Sequence, residues 1–421
     1  MKTKLVYVLL DGVGDLPNPS LNELTPLQAA RTPNLDKLVL NGCMGLVYTV
    51  GKGIAPESDA GVLSMLGYDI SAGYVGRGPI EAIGESMEFG DGQLALRANF
   101  ATIDHRGKIL DRRAGRNLSS EEAYSLAQAI NSGVVLGGGA SFQLKATLGH
   151  RCVLVIRLKG SNLSSEITNT DPAYIRRGGL GVAVGGTTMS MEVAKAVPTG
   201  PARGAIIAAT LVNEFTQQSS EILVRHSVNT NRKREGKKPA NVILLRDPGH
   251  LKPSFEPIDK KYGARFACLA DMPVEKGIAS VTGMELVKGG TPIDYRLKAE
   301  LANRLLSRFS VIYVHIKGPD EPGHDGDANL KKEIIEDVDN GFFGELMGHI
   351  SSEEVVVAVS ADHSTPCTLR AHSDHPVPLL LSGNHVNRDK SCRFTERDGT
   401  IGSLGVLRGP DVLRTILKLA L

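Results

Sequence analysis

Continuous runs of apolar residues, most of them β-branched, mark the strands that the sequence predicts. The runs are Leu5–Leu10, Val311–Ile316, Val355–Val359 and Val377–Leu381. Uninterrupted apolar runs of this length are typical of parallel strands that helices cover on both faces of a sheet. The pattern therefore predicts a buried, mostly parallel sheet to which both ends of the chain contribute.

Helical periodicity separates these runs. Apolar residues recur at the spacing of one helix face in the segments Pro33–Leu40, Ala60–Leu66, Arg296–Ser307 and Leu330–Met347. Alternation of strands and helices predicts the α/β class, with helices flanking the sheet.

The middle of the chain has a different character. It is rich in glycine, including Gly178-Gly179 and Gly185-Gly186, and it carries a basic run, Arg232–Lys238, that we interpret as an exposed loop. We predict a discontinuous core domain, residues 1–74 and 262–421, and an inserted α+β domain, residues 75–261. An insertion of this kind can close over a site as a lid.

Acidic residues follow three of the predicted strands. Asp11 comes directly after the first run, Asp320 four residues after Ile316, and Asp362 three residues after Val359. Because ligands bind beyond the carboxyl ends of the strands in open α/β sheets, we expect these carboxylates to gather around one site.

Histidines accompany these acids at spacings that suit metal binding. Asp320 and His324 are four residues apart, His363 follows Asp362, and His372 and His375 come soon afterwards. Oxygen and nitrogen donors without sulfur suit Mn²⁺ or Zn²⁺. The ligands are too many for one tetrahedral ion, and a pair of ions would suit the clamping of a phosphoryl group.

Ser58 is the candidate nucleophile. It precedes an amphipathic stretch and so falls near a helix N-terminus, where backbone N–H groups and the helix dipole favour an anion. A neighbouring divalent ion would lower the pKa of its hydroxyl. The alternative interpretation is that Ser58 or Asp59 only caps the helix.

Composition narrows the classes of partner. The 421 residues include 48 Lys and Arg against 46 Asp and Glu, so the net charge of +2 gives little attraction for nucleic acid or an acidic membrane. The apolar runs are too short to span a membrane. The five scattered cysteines and the lack of a leader-like N-terminus predict a cytoplasmic protein.

Several motifs together resemble a known family. They are Asp11-Gly-Val-Gly-Asp15, Pro56-Glu-Ser-Asp59, Asp320-Glu-Pro-Gly-His-Asp-Gly326, Ala361-Asp-His363 and Ala371-His-Ser-Asp-His-Pro-Val-Pro378, and in the insert Gly76–Gly84, Asp111–Arg116, Gly149–Val155, His226–Asn229 and Pro239–Arg246. The sequence resembles the archaeal-type, cofactor-independent (2,3-bisphosphoglycerate-independent) phosphoglycerate mutases of the alkaline phosphatase superfamily. The resemblance covers nearly the whole chain.

The resemblance implies an alkaline-phosphatase-like core that binds two divalent ions. Mn²⁺ is expected first, with Zn²⁺, Co²⁺ and Mg²⁺ as alternatives, and no 2,3-bisphosphoglycerate is required. One ion would be held by Asp320, His324 and His372, with His372 preferred over His375. The second would be held by Asp11, Ser58, Asp362 and His363, and Ser58 would become phosphorylated.

The resemblance also suggests residues that hold phosphoglycerate, namely Asp111, Arg112, Arg113, Arg116, His150, Arg246 and Lys276. Arginine suits this task because its guanidinium binds phosphate and carboxylate oxygens in pairs. His150 and Asp111 are both open as the general base. Two positions depart from the family pattern: Asp247 stands where glycine is common, and Asn169 where an acid is commoner.

The implied activity is interconversion of 3-phosphoglycerate and 2-phosphoglycerate through a phosphoserine, with the phosphoglycerate as the small-molecule partner. A metal-dependent phosphomonoesterase or a phosphopentomutase would use the same metal motifs. A non-catalytic sensor of a phosphorylated metabolite is a further alternative. The sequence leaves the oligomeric state open.

Overall fold

The chain divides into two compact units. The computed structural model describes residues 3–70, 74–177, 180–183, 192–351 and 353–420, and the glycine pairs at 178–179 and 185–186 lie outside these ranges. Unit 1 comprises Met1–Gly73 and Phe255–Leu421, and unit 2 comprises Tyr74–Ser254. No helix in the described ranges combines the length and the apolar character that crossing a membrane requires.

The second unit boundary lies seven residues before the predicted one, at 254/255 rather than 261/262. The intervening residues pack within unit 1, because the Tyr68 hydroxyl donates to the Glu256 carbonyl at 2.8 Å. The Tyr68 ring also contacts that of Phe255 edge to face, with centroids 5.1 Å apart.

The described strands are, in chain order, β1 (Lys4–Leu10), β2 (Gly42–Tyr48), β3 (Leu94–Ile103), β4 (Ile109–Asp111), β5 (Ser141–Ala146), β6 (Arg151–Arg157), β7 (Tyr174–Arg177), β8 (Leu180–Ala183), β9 (Val242–Gly249), β10 (Phe266–Leu269), β11 (Glu285–Val287), β12 (Val311–Ile316), β13 (Val355–Ser360), β14 (Val377–Ser382) and β15 (Gly405–Arg408).

The described α-helices are α1 (Pro26–Ala29), α2 (Pro33–Val39), α3 (Ser58–Met65), α4 (Arg77–Gly84), α5 (Ser120–Gly133), α6 (Arg203–Arg225), α7 (Ser227–Arg234), α8 (Ile258–Tyr262), α9 (Pro273–Thr282), α10 (Tyr295–Leu305), α11 (Asp320–Asp325), α12 (Ala328–Val338), α13 (Gly344–His349), α14 (Glu396–Ile401) and α15 (Gly409–Ala420).

Unit 1 contains the mostly parallel sheet that the sequence predicts, with strand order β11-β10-β12-β1-β13-β14-β2-β15. β1 is central and pairs in parallel with β12 on one side and β13 on the other. Its residues Leu5 to Leu10 are almost wholly buried, as expected for a strand covered on both faces. The α/β class with helices flanking the sheet is confirmed.

The direction predicted for the fourth apolar run is wrong. β14 runs antiparallel to both β13 and β2. The segment between β13 and β14 contains no helix, and a parallel connection needs a crossover that is usually helical. The apolar run predicted the burial of the strand but carried no information on its direction.

Unit 2 is built around an antiparallel sheet in which β3 pairs with both β6 and β9. Helices α5 and α6 contribute Leu126, Ile130 and Phe215 to an apolar core shared with this sheet. A capping box at Ser119 and Glu122 begins α5, which satisfies backbone N–H groups that a helix start leaves unpaired.

Arg232 corrects the interpretation of the basic run as an exposed loop. It belongs to helix α7, and its side chain is 0% exposed. The guanidinium donates to Glu122 Oε2 at 2.7 Å and to the carbonyls of Lys238 at 2.9 Å and Ala114 at 3.1 Å. Its neighbours Lys233 and Arg234 are exposed. The basic run is therefore solvated except at Arg232, which connects α7 to the segment that contains Ala114 and Glu122.

Replacing Arg232 should therefore destabilise the protein. Arg232→Met leaves the Ala114 and Lys238 carbonyls without this donor and removes the cation that pairs with Glu122, and we expect the free energy of unfolding to fall by about 3 kcal/mol. Equilibrium urea unfolding of the full chain measures this, with Arg234→Met on the same helix as the control. Equal effects of the two substitutions would contradict the assignment.

Candidate metal centre and active site

The three predicted acids lie at one edge of the unit 1 sheet. Because β12 and β13 flank β1 in parallel, their carboxyl ends bring Asp320 and Asp362 beside Asp11. The Asp11 backbone N–H donates to the Ile316 carbonyl at 2.9 Å, and the Gly12 N–H donates to Asp362 Oδ1 at 3.1 Å. The register of the sheet thus places the acids together, as the strand pattern predicts.

Two glycines allow the loop after β1 to approach the other two ligand segments. Gly12 has φ +58°, and a Cβ there would lie 2.9 Å from the Cβ of Asp320. A Cβ on Gly14 would lie 2.1 Å from Ser364 Oγ. The Asp11-Gly-Val-Gly-Asp15 motif therefore needs its glycines for close packing around the centre.

The first group of potential ligands combines Asp11, Asp362 and His363, whose donor atoms all lie within 4.8 Å of one another. His363 Nε2 is 3.5 Å from Asp11 Oδ1 and 3.4 Å from Asp362 Oδ2. Ser58 Oγ lies 3.2 Å from the same nitrogen. The serine is thus in contact with the ligand group.

The second group combines Asp320, His363 and His372, also within 4.8 Å. Both His372 Nε2 and His324 Nε2 approach Asp320 Oδ1, at 3.4 and 3.5 Å. All seven residues predicted to bind metal are therefore gathered in one place. His363 belongs to both groups here, so the predicted division of ligands between two ions stays a prediction.

Hydrogen bonds to the far ring nitrogens orient the histidines. His372 Nδ1 lies 2.7 Å from the Pro56 carbonyl and His324 Nδ1 3.3 Å from the Arg370 carbonyl. Since a carbonyl only accepts, each Nδ1 carries a proton, and the lone pair of each neutral imidazole therefore lies on Nε2. These two Nε2 atoms are 3.1 Å apart, an arrangement that a cation between them would stabilise.

Thr365 gives His363 the same orientation. Its hydroxyl donates to Asp320 Oδ1 at 2.7 Å and so accepts from His363 Nδ1 at 3.0 Å. His363 Nε2 then faces Ser58, Asp11 and Asp362 with its lone pair.

The carboxylates repel one another in this buried place. Burial raises the pKa of Asp362 well above its usual range, and the Asp11 charge adds to the shift. Burial opposes ionisation of Asp11 too, but the Lys317 ammonium, 3.1 Å from Asp11 Oδ2, holds the pKa of Asp11 below its usual range. Among the described residues, none donates a hydrogen bond to Asp11 Oδ1 or Asp362 Oδ2. Buried oxygens without donors and inward-facing imidazole nitrogens fit divalent cations.

Ser58 is the first residue of α3 and is only 7% exposed. The helix N-terminus supplies N–H groups without partners inside the helix. A Cβ on Gly61 would lie 2.2 Å from the Asp362 carbonyl, so this glycine lets the helix pack directly against the ligand segment. The helix start predicted at Ser58 is found there.

A polar group that the sequence did not predict lies beside Asp11. Lys317 Nζ lies 2.7 Å from Glu275 Oε1, and His315 Nε2 lies 3.4 Å from the same oxygen. The sequence carries a signal for this group. His315 interrupts the apolar run of β12 and Lys317 directly follows it, and both side chains are buried or nearly buried. Lys276, which follows Glu275 in α9, is half-buried and does not belong to either ligand group.

His375 lies outside both ligand groups. Its Nδ1 contacts Ser373 Oγ at 3.0 Å, and its carbonyl accepts from Ser364 Oγ at 3.0 Å. The preference for His372 over His375 agrees with this geometry.

In unit 2, Arg112 and Arg246 meet at one carboxylate. Arg112 binds the buried Asp171 with two hydrogen bonds of 2.9 and 2.6 Å, and Arg246 Nη1 lies 3.0 Å from Asp171 Oδ2. The Tyr174 ring stacks against both guanidiniums, with centroid distances of 5.0 and 4.4 Å. These two predicted residues are therefore neighbours.

The other predicted residues near Asp111 belong to one strained turn. Asp111 accepts from the Arg113 N–H at 2.7 Å and from Lys238 Nζ at 2.7 Å. Ala114 and Arg116 have φ of +46° and +55°, a region that side chains disfavour. The buried Arg232 holds this turn by its bond to the Ala114 carbonyl.

The structure accounts for both departures from the family pattern. Asp247 has φ +53°, a backbone conformation that glycine adopts without strain. The Asp247 carboxylate accepts a hydrogen bond from Arg97 Nη1 at 3.0 Å. Asn169 Oδ1 accepts from the Asp247 N–H at 3.2 Å. A hydrogen bond thus links the two positions that depart from the family pattern.

His150 is buried in unit 2. Burial lowers its pKa to about 3, with the charges of Arg151, Arg246 and Arg116 adding to the effect. Its imidazole is therefore neutral at pH 7 and has a lone pair for accepting a proton.

Fold and site together define an α/β protein with a carboxylate–histidine centre suited to divalent cations, beside a serine at a helix start. A sequence model of the 2,3-bisphosphoglycerate-independent phosphoglycerate mutases matches residues 40–229. Proteins of that name from Aeropyrum pernix and Methanopyrus kandleri are 40% and 38% identical, and the matches cover 96% and 100% of this chain and 96% and 97% of theirs.

Two solved structures are similar to this chain over nearly its whole length. A Pyrococcus horikoshii protein has a TM-score of 0.78 and 31% identity, with 100% of this chain and 98% of that chain covered. A cofactor-independent phosphoglycerate mutase from Thermoplasma acidophilum has a TM-score of 0.60 and 31% identity, covering 99% and 100%. The chain belongs to the 2,3-bisphosphoglycerate-independent phosphoglycerate mutase family, which confirms the resemblance seen in the sequence and the expected class of enzyme, an isomerase.

The buried His150 should make the protein less stable in acid. Below about pH 6.5 the unfolded chain takes up a proton that the folded chain accepts only near pH 3, so the stability falls as the pH drops through this window. We expect His150→Gln to reduce the loss of unfolding free energy between pH 7 and pH 5 by about 2 kcal/mol. Urea unfolding at the two pH values measures it, with the exposed His105→Gln as control. An unchanged loss in His150→Gln would refute the explanation.

Proposed function

We propose that this chain interconverts 3-phosphoglycerate and 2-phosphoglycerate through a phosphoserine at Ser58, beside two divalent ions. The observation that carries the proposal is the position of Ser58 Oγ, 3.2 Å from His363 Nε2, at the point that both ligand groups share. The full-length relatives, named for this mutase activity, support the substrate.

Asp320, His324 and His372 would hold one ion, and Asp11, Ser58, Asp362 and His363 the other. Mn²⁺ fits this oxygen and nitrogen set first, with Zn²⁺, Co²⁺ and Mg²⁺ as alternatives. When bound, the ions would supply positive charge that lowers the pKa of the Ser58 hydroxyl and neutralises the phosphoryl oxygens. Lys317 and Thr365 would keep Asp11 and Asp320 oriented toward the centre.

Ser58 Oγ attacks the phosphorus in line, so that its O–P bond forms as the bond to the substrate oxygen breaks. The N–H groups of the first turn of α3 stabilise charge on the phosphoryl oxygens. The glycerate leaving oxygen takes up a proton in place of the one that the Ser58 hydroxyl gives up. The other hydroxyl of the retained glycerate then attacks the phosphorus and gives its proton to the general base, while the bond to Ser58 Oγ breaks and Ser58 regains a proton. Water must be excluded meanwhile, since water attacking the phosphoserine would yield phosphate.

Unit 2 would recognise the rest of the substrate. Arg112 and Arg246 use only part of their five N–H donors each on Asp171, and the others suit the carboxylate or phosphate of phosphoglycerate. Asp111, Arg113, Arg116 and Lys276 are the remaining candidates for this role. His150 and Asp111 both stay open as the general base, because Asp111 is bonded to Lys238 and the low pKa of His150 weakens it as a base. The lid role of unit 2 stays a prediction.

A metal-dependent phosphomonoesterase or a phosphopentomutase would need the same metal centre, but no feature of the chain favours either. A non-catalytic sensor would need no serine in contact with the ligand groups. A cytoplasmic location is in keeping with five cysteines that are all free thiols.

Ser58→Ala should abolish both isomerisation and formation of the phosphoenzyme, because it removes the hydroxyl that contacts His363 Nε2, where both ligand groups meet. Proton NMR of purified protein with Mn²⁺ and 3-phosphoglycerate follows substrate and product, and an assay for released phosphate reports hydrolysis. Ser64→Ala, a buried serine of the same helix, is the matched control and should stay active. Isomerase activity in Ser58→Ala would end the nucleophile assignment.

Removal of metal should abolish the activity, and added ions should restore it, with Mn²⁺ the most effective. Chelation followed by titration with Mn²⁺, Co²⁺, Zn²⁺ and Mg²⁺ in the same assay measures this. Isomerisation should proceed without 2,3-bisphosphoglycerate. Activity that survives chelation, or that needs the bisphosphate, would contradict the proposal.

A further inference from the structure

Lys331 is a fully buried charge that the proposed reaction does not use. Its side chain and that of its partner Asp15 are both 0% exposed, and the Lys331 Nζ to Asp15 Oδ2 distance is 2.8 Å. Asp15 ends the Asp11-Gly-Val-Gly-Asp15 motif and belongs to neither ligand group.

The position of Lys331 in its helix is costly. It occupies the buried face of α12 together with Ala328, Ile335 and Val338, a stripe where an apolar residue is the rule. A buried ammonium is tolerated only when its donors are all satisfied. Lys331 Nζ accordingly donates to Asp15 Oδ2, to the Gly14 carbonyl at 3.2 Å and to the Thr365 carbonyl at 2.9 Å.

These acceptors come from the segments that carry the metal ligands. Gly14 and Asp15 belong to the loop that begins with Asp11, and Thr365 follows His363 by two residues and Asp362 by three. Asp15 reinforces the link, since its Oδ1 accepts from the Cys367 N–H at 3.1 Å. Helix α12 follows α11, which begins at Asp320. One ion pair therefore joins the segments that follow β1, β12 and β13.

We propose that the Asp15–Lys331 ion pair positions the metal ligands. The inference rests on the proposed function, because it concerns the affinity of the same centre. Without an ion, the carboxylates of Asp11, Asp320 and Asp362 repel one another and favour separation of their loops. The ion pair holds the loops at binding distance beforehand, so that little free energy is spent on reorganisation when the ion arrives.

Unit 1 offers a matched control for this test. Lys298 is also 0% exposed and pairs with Asp271 at 2.6 Å. Its other acceptors are the carbonyls of Gly289 and Thr291, in a segment without any of the proposed metal ligands. Loss of the Lys298–Asp271 pair therefore measures how much a buried Lys–Asp pair contributes to the stability of the fold when it does not contact the segments that carry the metal ligands.

The experiment is calorimetric titration of the metal-free full chain with Mn²⁺, for the wild type and for Lys331→Met, Asp15→Asn, the double variant and Lys298→Met. We expect each single change at the Asp15–Lys331 pair to weaken the Mn²⁺ affinity about tenfold or more, as does the loss of other residues that orient metal ligands. The double variant should be no weaker than the worse single one, because both remove the same link. Lys298→Met should lower the melting temperature but keep the affinity within about twofold.

An affinity within about twofold of wild type in folded Lys331→Met or Asp15→Asn, shown by circular dichroism, would overturn the inference. So would an equal loss in Lys298→Met. Asp15→Asn keeps a carbonyl oxygen for the Leu16 and Cys367 N–H groups and carries the test should Lys331→Met fail to fold. A wild-type chain that binds no Mn²⁺ would instead refute the proposed function. The d–d bands of bound Co²⁺ give a second readout, since displaced ligands would change them.

Discussion

Mutual repulsion of buried carboxylates is the constraint around which unit 1 is built. Parallel pairing of β1 with β12 and β13 forces Asp11 and Asp362, both buried, to the same edge of the sheet. Such a cluster is unstable by itself, because burial and like charge both oppose ionisation. The surrounding groups relieve the repulsion: Lys317 pairs with Asp11, the Gly12 N–H donates to Asp362, and the Thr365 hydroxyl donates to Asp320. Divalent cations would relieve the remaining repulsion between the carboxylates.

His363 links this electrostatic arrangement to the chemistry. Its Nδ1 is fixed by Thr365, and its Nε2 faces Ser58 and both ligand groups. The orientation of one imidazole thus depends on a hydroxyl that also orients Asp320. A change at Thr365 would consequently disturb both groups at once, although Thr365 is itself no ligand. His363 and Thr365 therefore connect the serine, the acids and the histidines, which are not separate sites.

The predictable parts of this protein are those that depend on local pattern. The candidate ligands could be found because a parallel strand carries its next residue to a fixed edge of the sheet, and Asp11, Asp320 and Asp362 each follow such a strand closely. The direction of β14 depends on a connection without a helix, and the burial of Arg232 and Lys331 depends on acceptors supplied by remote segments. A basic residue on an apolar helix stripe signals a buried partner, but the sequence cannot say which acid supplies it.

Unit 2 presents the opposite electrostatic balance. Ion pairs connect Arg77, Arg97, Arg112 and Arg246 with Glu81, Asp171 and Asp247, so the guanidiniums outnumber the carboxylates in this described cluster. The acids keep the cations close together despite burial, and the remaining positive charge suits an anion. The described cluster of unit 1 has an excess of carboxylates, which suits cations, whereas the described cluster of unit 2 has an excess of guanidiniums, which suits anions.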